Sequence, residues 1–239
     1  MRKTRRAWTA IILLSLSTPV FAAEQPALGF SLEQFSDVQH RTDEAFAALG
    51  YAPMPAKAPR FVKPTDVAPP ANNVMLFAGQ YAINNLGGTL NPFTATHEDQ
   101  GIVAFAYGHD FYRWQDAVVG VEVGTGLRFG LGTAGELWGG VNIRYIGFVL
   151  FNTVKIGGGI TVGFSGVTKA TGIEAQREIK DSGSATLLAY LGPELTMALV
   201  DNPNWELVYR IQHRSGAYGV IAHFIEGANA NTLGIRYRF

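Results

Sequence analysis

The chain has 239 residues, with 19 basic and 19 acidic side chains, no cysteine and 28 glycines. Without cysteine there is neither a disulfide framework nor a thiolate metal site. Beyond the N-terminal region no apolar run reaches the roughly 18 residues of a membrane-spanning helix, so the chain either folds in water or spans a bilayer as a barrel.

Residues 1–23 read as a secretory signal peptide: Arg2, Lys3, Arg5 and Arg6, then Ala10 to Leu14, then the small pair Ala22-Ala23 at the cleavage site. Its removal takes four of the basic residues, and the mildly acidic remainder argues against a nucleic-acid partner. Residues 24–51 contain an amphipathic helical segment with Leu32, Phe35, Val38, Phe46 and Leu49 on its apolar stripe and Ser31 as its cap. Residues 52–72 carry Pro53, Pro55, Pro59, Pro64, Pro69 and Pro70, a linker composition.

The main domain covers 73–239. Eight strand-like segments follow at about 74–84, 101–113, 117–129, 136–146, 151–165, 184–199, 204–215 and 229–239. Most alternate strictly. In the third, Val119, Val121, Val123, Leu127 and Phe129 oppose Gly120, Glu122, Gly124, Gly126 and Arg128. Alternation alone leaves open which face is inside, and three features decide it. The wet face carries mixed charges suited to a paired lumen: Glu122, Arg128, Arg144, Lys155, Glu194, Glu206, Arg210, Arg214, Arg236 and Arg238. Segments of ten or more residues match an outer-membrane span. The last strand, Leu233 to Phe239, alternates and closes on an aromatic, resembling an outer-membrane assembly signal.

The fold expected is therefore all-β, an eight-stranded antiparallel transmembrane β-barrel with a short N-terminal periplasmic helix. Short links at 114–116 and 201–204 face the periplasm, and long loops near 85–100, 166–183 and 216–228 face outward. A barrel of eight strands is filled by its own side chains and is no pore.

Strand seven raises a question of chemistry. Its greasy register, Trp205, Leu207, Tyr209 and Ile211, continues into His213 and Ser215. Both would face lipid near the outer leaflet, two residues apart on one face, the minimal base and nucleophile pair of acyl transfer. A polar residue near the interface costs only about 0–1 kcal/mol, so an interfacial pair without chemistry explains the same pattern.

The stretch "QHRSGAYG", with the ending "GANANTLGIRYRF", resembles the C-terminal part of the PagL-type lipid A 3-O-deacylases. That motif is His-any-Ser-Asn followed by a small residue, on an eight-stranded outer-membrane barrel, and the strong similarity covers about 205–239. The resemblance implies a serine esterase acting on lipopolysaccharide, with Ser215 as nucleophile and His213 as general base. It implies no cofactor and no metal. Gly216 stands where that family usually has asparagine, so the backbone N–H groups of Gly216 and Ala217 would take the oxyanion role; losing one such donor elsewhere costs about 10²–10³ in rate. The residue that orients the histidine is Glu226 counted forward from His213, or Asn229 counted back from Phe239. Strand parity favours Asn229, while Glu226 falls in the preceding loop, where parity does not bind.

Other candidates have simpler explanations. His109 faces outward near the periplasmic end, as an interfacial histidine would, and Asp110, Glu122 and Glu194 serve as lumen counter-ions. Gly157-Gly158-Gly159 lacks the Lys-Ser/Thr of a phosphate loop. Pro193 in strand six should mark a bulge or an unpaired position. The expected function is removal of an ester-linked acyl chain from lipid A in the outer leaflet of a bacterial outer membrane. The alternatives are a non-catalytic structural or adhesive barrel, or an esterase for another lipid such as a phospholipid. A homodimer is left open.

Overall fold

The computed structural model describes residues 70–239 apart from Gln115, Phe224 and the side chain of Ile146. The expected signal peptide, the amphipathic segment and nearly all of the linker lie outside the described residues. Eight strands pair antiparallel in sequence order: β1 (Asn72–Ala82), β2 (His97–Trp114), β3 (Ala117–Gly130), β4 (Ala134–Leu150), β5 (Val154–Val167), β6 (Leu187–Leu199), β7 (Asn202–Ser215) and β8 (Glu226–Arg238). β1 closes on β8, and beyond that ladder Asn72 and Phe239 exchange backbone hydrogen bonds of 3.2 and 2.9 Å. Helix α1 (Leu86–Thr89) lies in the β1–β2 loop and α2 (Gly172–Lys180) in the β5–β6 loop, both at the same rim.

The polarity is inside out. Leu76, Phe105, Val121, Val141, Val162, Leu195, Leu207, Leu233 and Ile235 are exposed on the outer wall, while Arg128, Arg144, Glu194, Arg210, Arg214 and Arg236 are buried in the lumen. An edgeless barrel that presents apolar side chains all round, on strands long enough to cross the hydrocarbon layer, is a membrane barrel. The architecture is that of a membrane-spanning β-barrel of the outer-membrane type.

Bidentate arginine pairs fill the lumen. Glu194 on β6 accepts from Arg144 at 3.2 Å, Arg210 at 2.5 Å and Arg236 at 2.7 Å, three guanidinium groups from three other strands. Glu122 bonds Arg210 and Arg144, and both Glu206 and Asp110 hold Arg238. Nearer the outer mouth Arg128 bonds Glu136 at 2.5 Å and Glu174 of α2 at 2.7 Å. Trp138 packs between Phe77 and Tyr190 and donates to Glu122 at 3.2 Å. Gly124 makes room for that indole, since a Cβ there would fall 2.1 Å from Trp138 Cζ2. At the inner end a cavity of about 20 Å³, beside Arg144, Lys155, Glu206 and Arg238, has room for about one water.

Several boundaries differ from expectation. β4 runs to Leu150 rather than stopping near 146, because Gly147, at φ 109°, absorbs an extra residue between the pairs Tyr145↔Gly158 and Phe148↔Ile156. Residues 151–153 are then a tight turn rather than the start of strand five, with Phe151 and Asn152 both at φ 52° and Thr153 N–H donating to Leu150 at 3.0 Å. The β3–β4 link at the outer rim is only three residues long, and the 166–183 loop contains α2. Pro193 pairs with Ile160 on β5 but has no partner on β7, where pairing skips from Leu191↔His213 to Glu194↔Arg210, the gap expected for a residue without N–H.

Replacing Glu194 by leucine takes one carboxylate partner from each of three buried guanidinium groups, leaving Arg210 and Arg236 with a single carboxylate each. It is expected to cost about 3–5 kcal/mol, read as a lower guanidinium midpoint for the refolded barrel, whereas Leu195→Ala on the lipid face costs much less.

Candidate functional site

The alternation of β7 holds to its end. Glu206, Val208, Arg210, Gln212 and Arg214 point into the lumen, so His213 and Ser215 point outward, at the rim that carries the long loops. Arg214, between them, is anchored from inside: its guanidinium donates to Ser165 Oγ at 3.0 Å, to the carbonyls of Ser165 and Ala185 at 3.1 and 2.8 Å, and to Glu174. The backbone that presents His213 and Ser215 is thus pinned by a lumen side chain, the support that a preorganised site requires.

Although it faces outward, His213 is only 6% exposed, because the β1–β2 loop packs against β8 beside it. Its Nδ1 lies 2.5 Å from Asn229 Oδ1. The Asn229 amide nitrogen donates to the Asn84 carbonyl at 2.9 Å and to Glu226 Oε2 at 3.2 Å, leaving the amide oxygen for the imidazole. Nδ1 therefore carries the ring proton, and Nε2 keeps the lone pair of a base. Both residues named from sequence take part: Asn229 orients His213 and Glu226 holds Asn229. Glu226 also accepts from Leu86 N–H at 3.4 Å.

Glu226 is the first residue of β8 rather than part of the loop. The pairing passes from Arg214↔Ala228 to Ser215↔Glu226, so Gly227 is an extra residue, a bulge. Three positions apart, Glu226 and Asn229 would face opposite sides of a regular strand, and the bulge turns Glu226 to the outer side. A Cβ on Gly227 would meet the Arg214 carbonyl and Leu188 Cδ1 at 2.7 Å. Arg177 of α2 donates to the Gly227 carbonyl at 2.9 Å and to that of Ile83 at 2.9 Å, tying the bulge to the β1–β2 loop.

Ser215 is partly exposed and pairs with Ala189 on β6. Among the described residues no hydrogen bond joins its hydroxyl to His213. Gly216 follows, and Ala217, Tyr218 and Gly219 take left-handed φ values of 51°, 55° and 86°. The Gly216 carbonyl collects the N–H groups of Gly219, Ile221 and Ala222, which curls the loop and leaves the N–H groups of Gly216 and Ala217 without a backbone acceptor among the described residues.

A second polar row lies one step deeper on the same wall: Tyr209 O–H donates to Asn231 Oδ1 at 2.5 Å, and Asn231 Nδ2 meets His97 Nε2 at 3.1 Å. Sequence reasoning placed Tyr209 on the lipid face but missed Asn84 in the β1–β2 loop and His97 at the start of β2, which come near β8 only because β1 closes on it. His109 sits at the opposite end of the barrel, exposed and bonded to Asn72 at 2.9 Å, as an interfacial histidine. Asp110, Glu122 and Glu194 are lumen counter-ions. No cluster of three or more His, Cys, Asp or Glu that could hold a metal occurs among the described residues.

No family model and no curated protein matches the chain. Among solved structures it is similar to the outer membrane enzyme PagL, at 11% identity over 70% of this chain and 99% of that one, with a TM-score of 0.42. It is also similar to Neisserial surface protein A, at 12% identity over 70% and 97% with a TM-score of 0.44. A third is OprG from Pseudomonas aeruginosa, at 11% identity over 72% and 97% with a TM-score of 0.37.

Nitrogen NMR of the His213 ring in detergent micelles is expected to show a protonated Nδ1 and a bare Nε2. Asn229→Leu should abolish that tautomer preference, and an unchanged ring would contradict the assigned bond.

Proposed function

We propose that the protein is a serine esterase that removes an ester-linked acyl chain from a lipid of the outer leaflet, with lipid A of lipopolysaccharide as the substrate implied by the motif around Ser215. The observation that carries this reading is the His213–Asn229–Glu226 chain of hydrogen bonds on the lipid-facing wall, two residues from Ser215. Polar groups on that wall are costly unless they are paired, and this pairing leaves a basic nitrogen free.

In the proposed reaction Ser215 Oγ gives its proton to His213 Nε2 and attacks the ester carbonyl carbon, whose π pair moves onto oxygen. The N–H groups of Gly216 and Ala217 receive that oxyanion. Collapse expels the lipid alkoxide, which takes the proton from the imidazolium. A water, deprotonated by the same nitrogen, then releases the fatty acid from Ser215. Asn229 keeps the ring in its reactive tautomer without adding charge, and the Glu226 carboxylate, one bond further out, favours the imidazolium through the polarised amide.

The rival reading, a barrel without catalysis, is favoured by the absence of a Ser215–His213 hydrogen bond among the described residues. Mass spectrometry of lipid A from outer membranes carrying the wild type or Ser215→Ala separates the two. Loss of one acyl chain only with the wild type is expected, both proteins being folded by heat-modifiable gel mobility. Identical spectra would point to a different lipid substrate or a silent barrel. Glu226→Gln should keep the fold and lower turnover by about 10- to 100-fold, the worth of one charged hydrogen bond.

A further inference from the structure

On the outer wall a groove of about 760 Å³ runs between β3, β4, β5 and the start of β6, lined by Val123, Leu137, Gly139, Phe164, Gly166 and Leu187. Its floor has an unusual origin. Lumen-facing glycines are demanded by packing: a Cβ on Gly124, Gly140 or Gly163 would lie 2.1, 2.3 or 2.0 Å from its nearest neighbour. The outward glycines of the groove are not, because a Cβ on Gly135, Gly139 or Gly166 would sit at ordinary contact distances of 3.4, 3.6 and 3.5 Å. Barrel closure leaves space for a side chain at all three, so their smallness serves the groove itself.

Strand register connects this groove to the candidate site. Val123, Gly139, Phe164, Ala189 and Ser215 form one continuous row across β3 to β7. Phe164 is thus two strands from Ser215, about 10 Å at the usual strand spacing. On the opposite side of Ser215 the next strand contributes Glu226 and Asn229, with Asn231 and His97 beyond. Ser215 stands at the boundary between an apolar trough and a polar patch, and the threonines Thr168 and Thr186 line the trough where it reaches the rim. The trough is continuous with the lipid-facing wall, so a chain can enter it sideways without leaving the membrane.

We propose that this groove holds one acyl chain of the ester lipid, laying it along β4 and β5 while the head group lies over the polar patch at β7 and β8. The proposal rests on the esterase reading for the identity of the bond cut, and its test separates the two. Native mass spectrometry of Ser215→Ala barrels in detergent, with palmitoyl-lysophosphatidylcholine as probe, reads occupancy without catalysis. One retained lipid is expected, weakened about tenfold or more by Gly139→Leu or Gly166→Leu and less by Gly139→Ala, for which space exists. With Ser215 present, p-nitrophenyl esters of increasing chain length read the coupling. Gly139→Leu should raise KM for the palmitate ester about tenfold or more and leave the butyrate ester within about twofold.

Equal retention by the parent and both leucine variants, each shown folded by gel mobility, would overturn the groove assignment. A dimer in light scattering that disappears in Gly139→Leu, with no lipid retained by the parent, would give the groove to a second copy and likewise overturn it. Retention that depends on the glycines, without hydrolysis of any ester, would support the chain site and remove the esterase reading instead.

Discussion

The structure depends on burying charge at the centre of a barrel whose outside is lipid. Water drives apolar side chains inward in a soluble barrel, whereas here the apolar set is satisfied by hydrocarbon and closure must come from the lumen. Glu194, Glu122 and Asp110 each bridge arginines of different strands, Glu194 on β6 doing so for β4, β7 and β8. These pairs set register as well as closure. A one-residue slip of any of those strands would send its guanidinium to the lipid side, at about 2–4 kcal/mol for each one near mid-membrane.

A filled lumen dictates where chemistry can occur. With Trp138, Tyr190 and the arginine network occupying the interior, the accessible functional surface is the outer wall and the rim. Helix α2 couples the two sides. Its Glu174 holds Arg214 of β7 from within, and its Arg177 holds the Gly227 bulge of β8. Both strands that present the His213–Asn229–Glu226 chain are thus fixed by one helix in the mouth of the barrel, and the site inherits the rigidity of the ion network.

Much of this was legible in the residues. Eight alternating segments, mixed charge on one face and long links at one end led to the barrel, and the continuation of the outward register into His213 and Ser215 singled out the candidate site. The departures share a physical cause, a single residue that breaks strict alternation. Gly147 lengthens β4, and Gly227 admits Glu226 to the outer face beside Asn229. Sequence parity presented Glu226 and Asn229 as competing partners for the histidine, and in the fold they act in series. Helix α2 went unread because its nine residues lie within a polar loop and its anchoring charges, Glu174 and Arg177, find their partners 40 to 50 residues away.

The sequence by itself determined the period of two, the split between a greasy and a charged face, the strand count and the pair His213 and Ser215 on one face, because all of these follow from local alternation. Tertiary structure decided which groups meet across strands. Asn84 and His97 reach β8 only because β1 closes on it, Gly139 of the outer groove lines up with Ser215 only through the register of the strands between them, and the histidine's free nitrogen is set by an amide whose other bonds come from a loop and a bulge. Those are contacts between residues far apart in the chain, and register, bulges and closure place them where a local pattern carries no information.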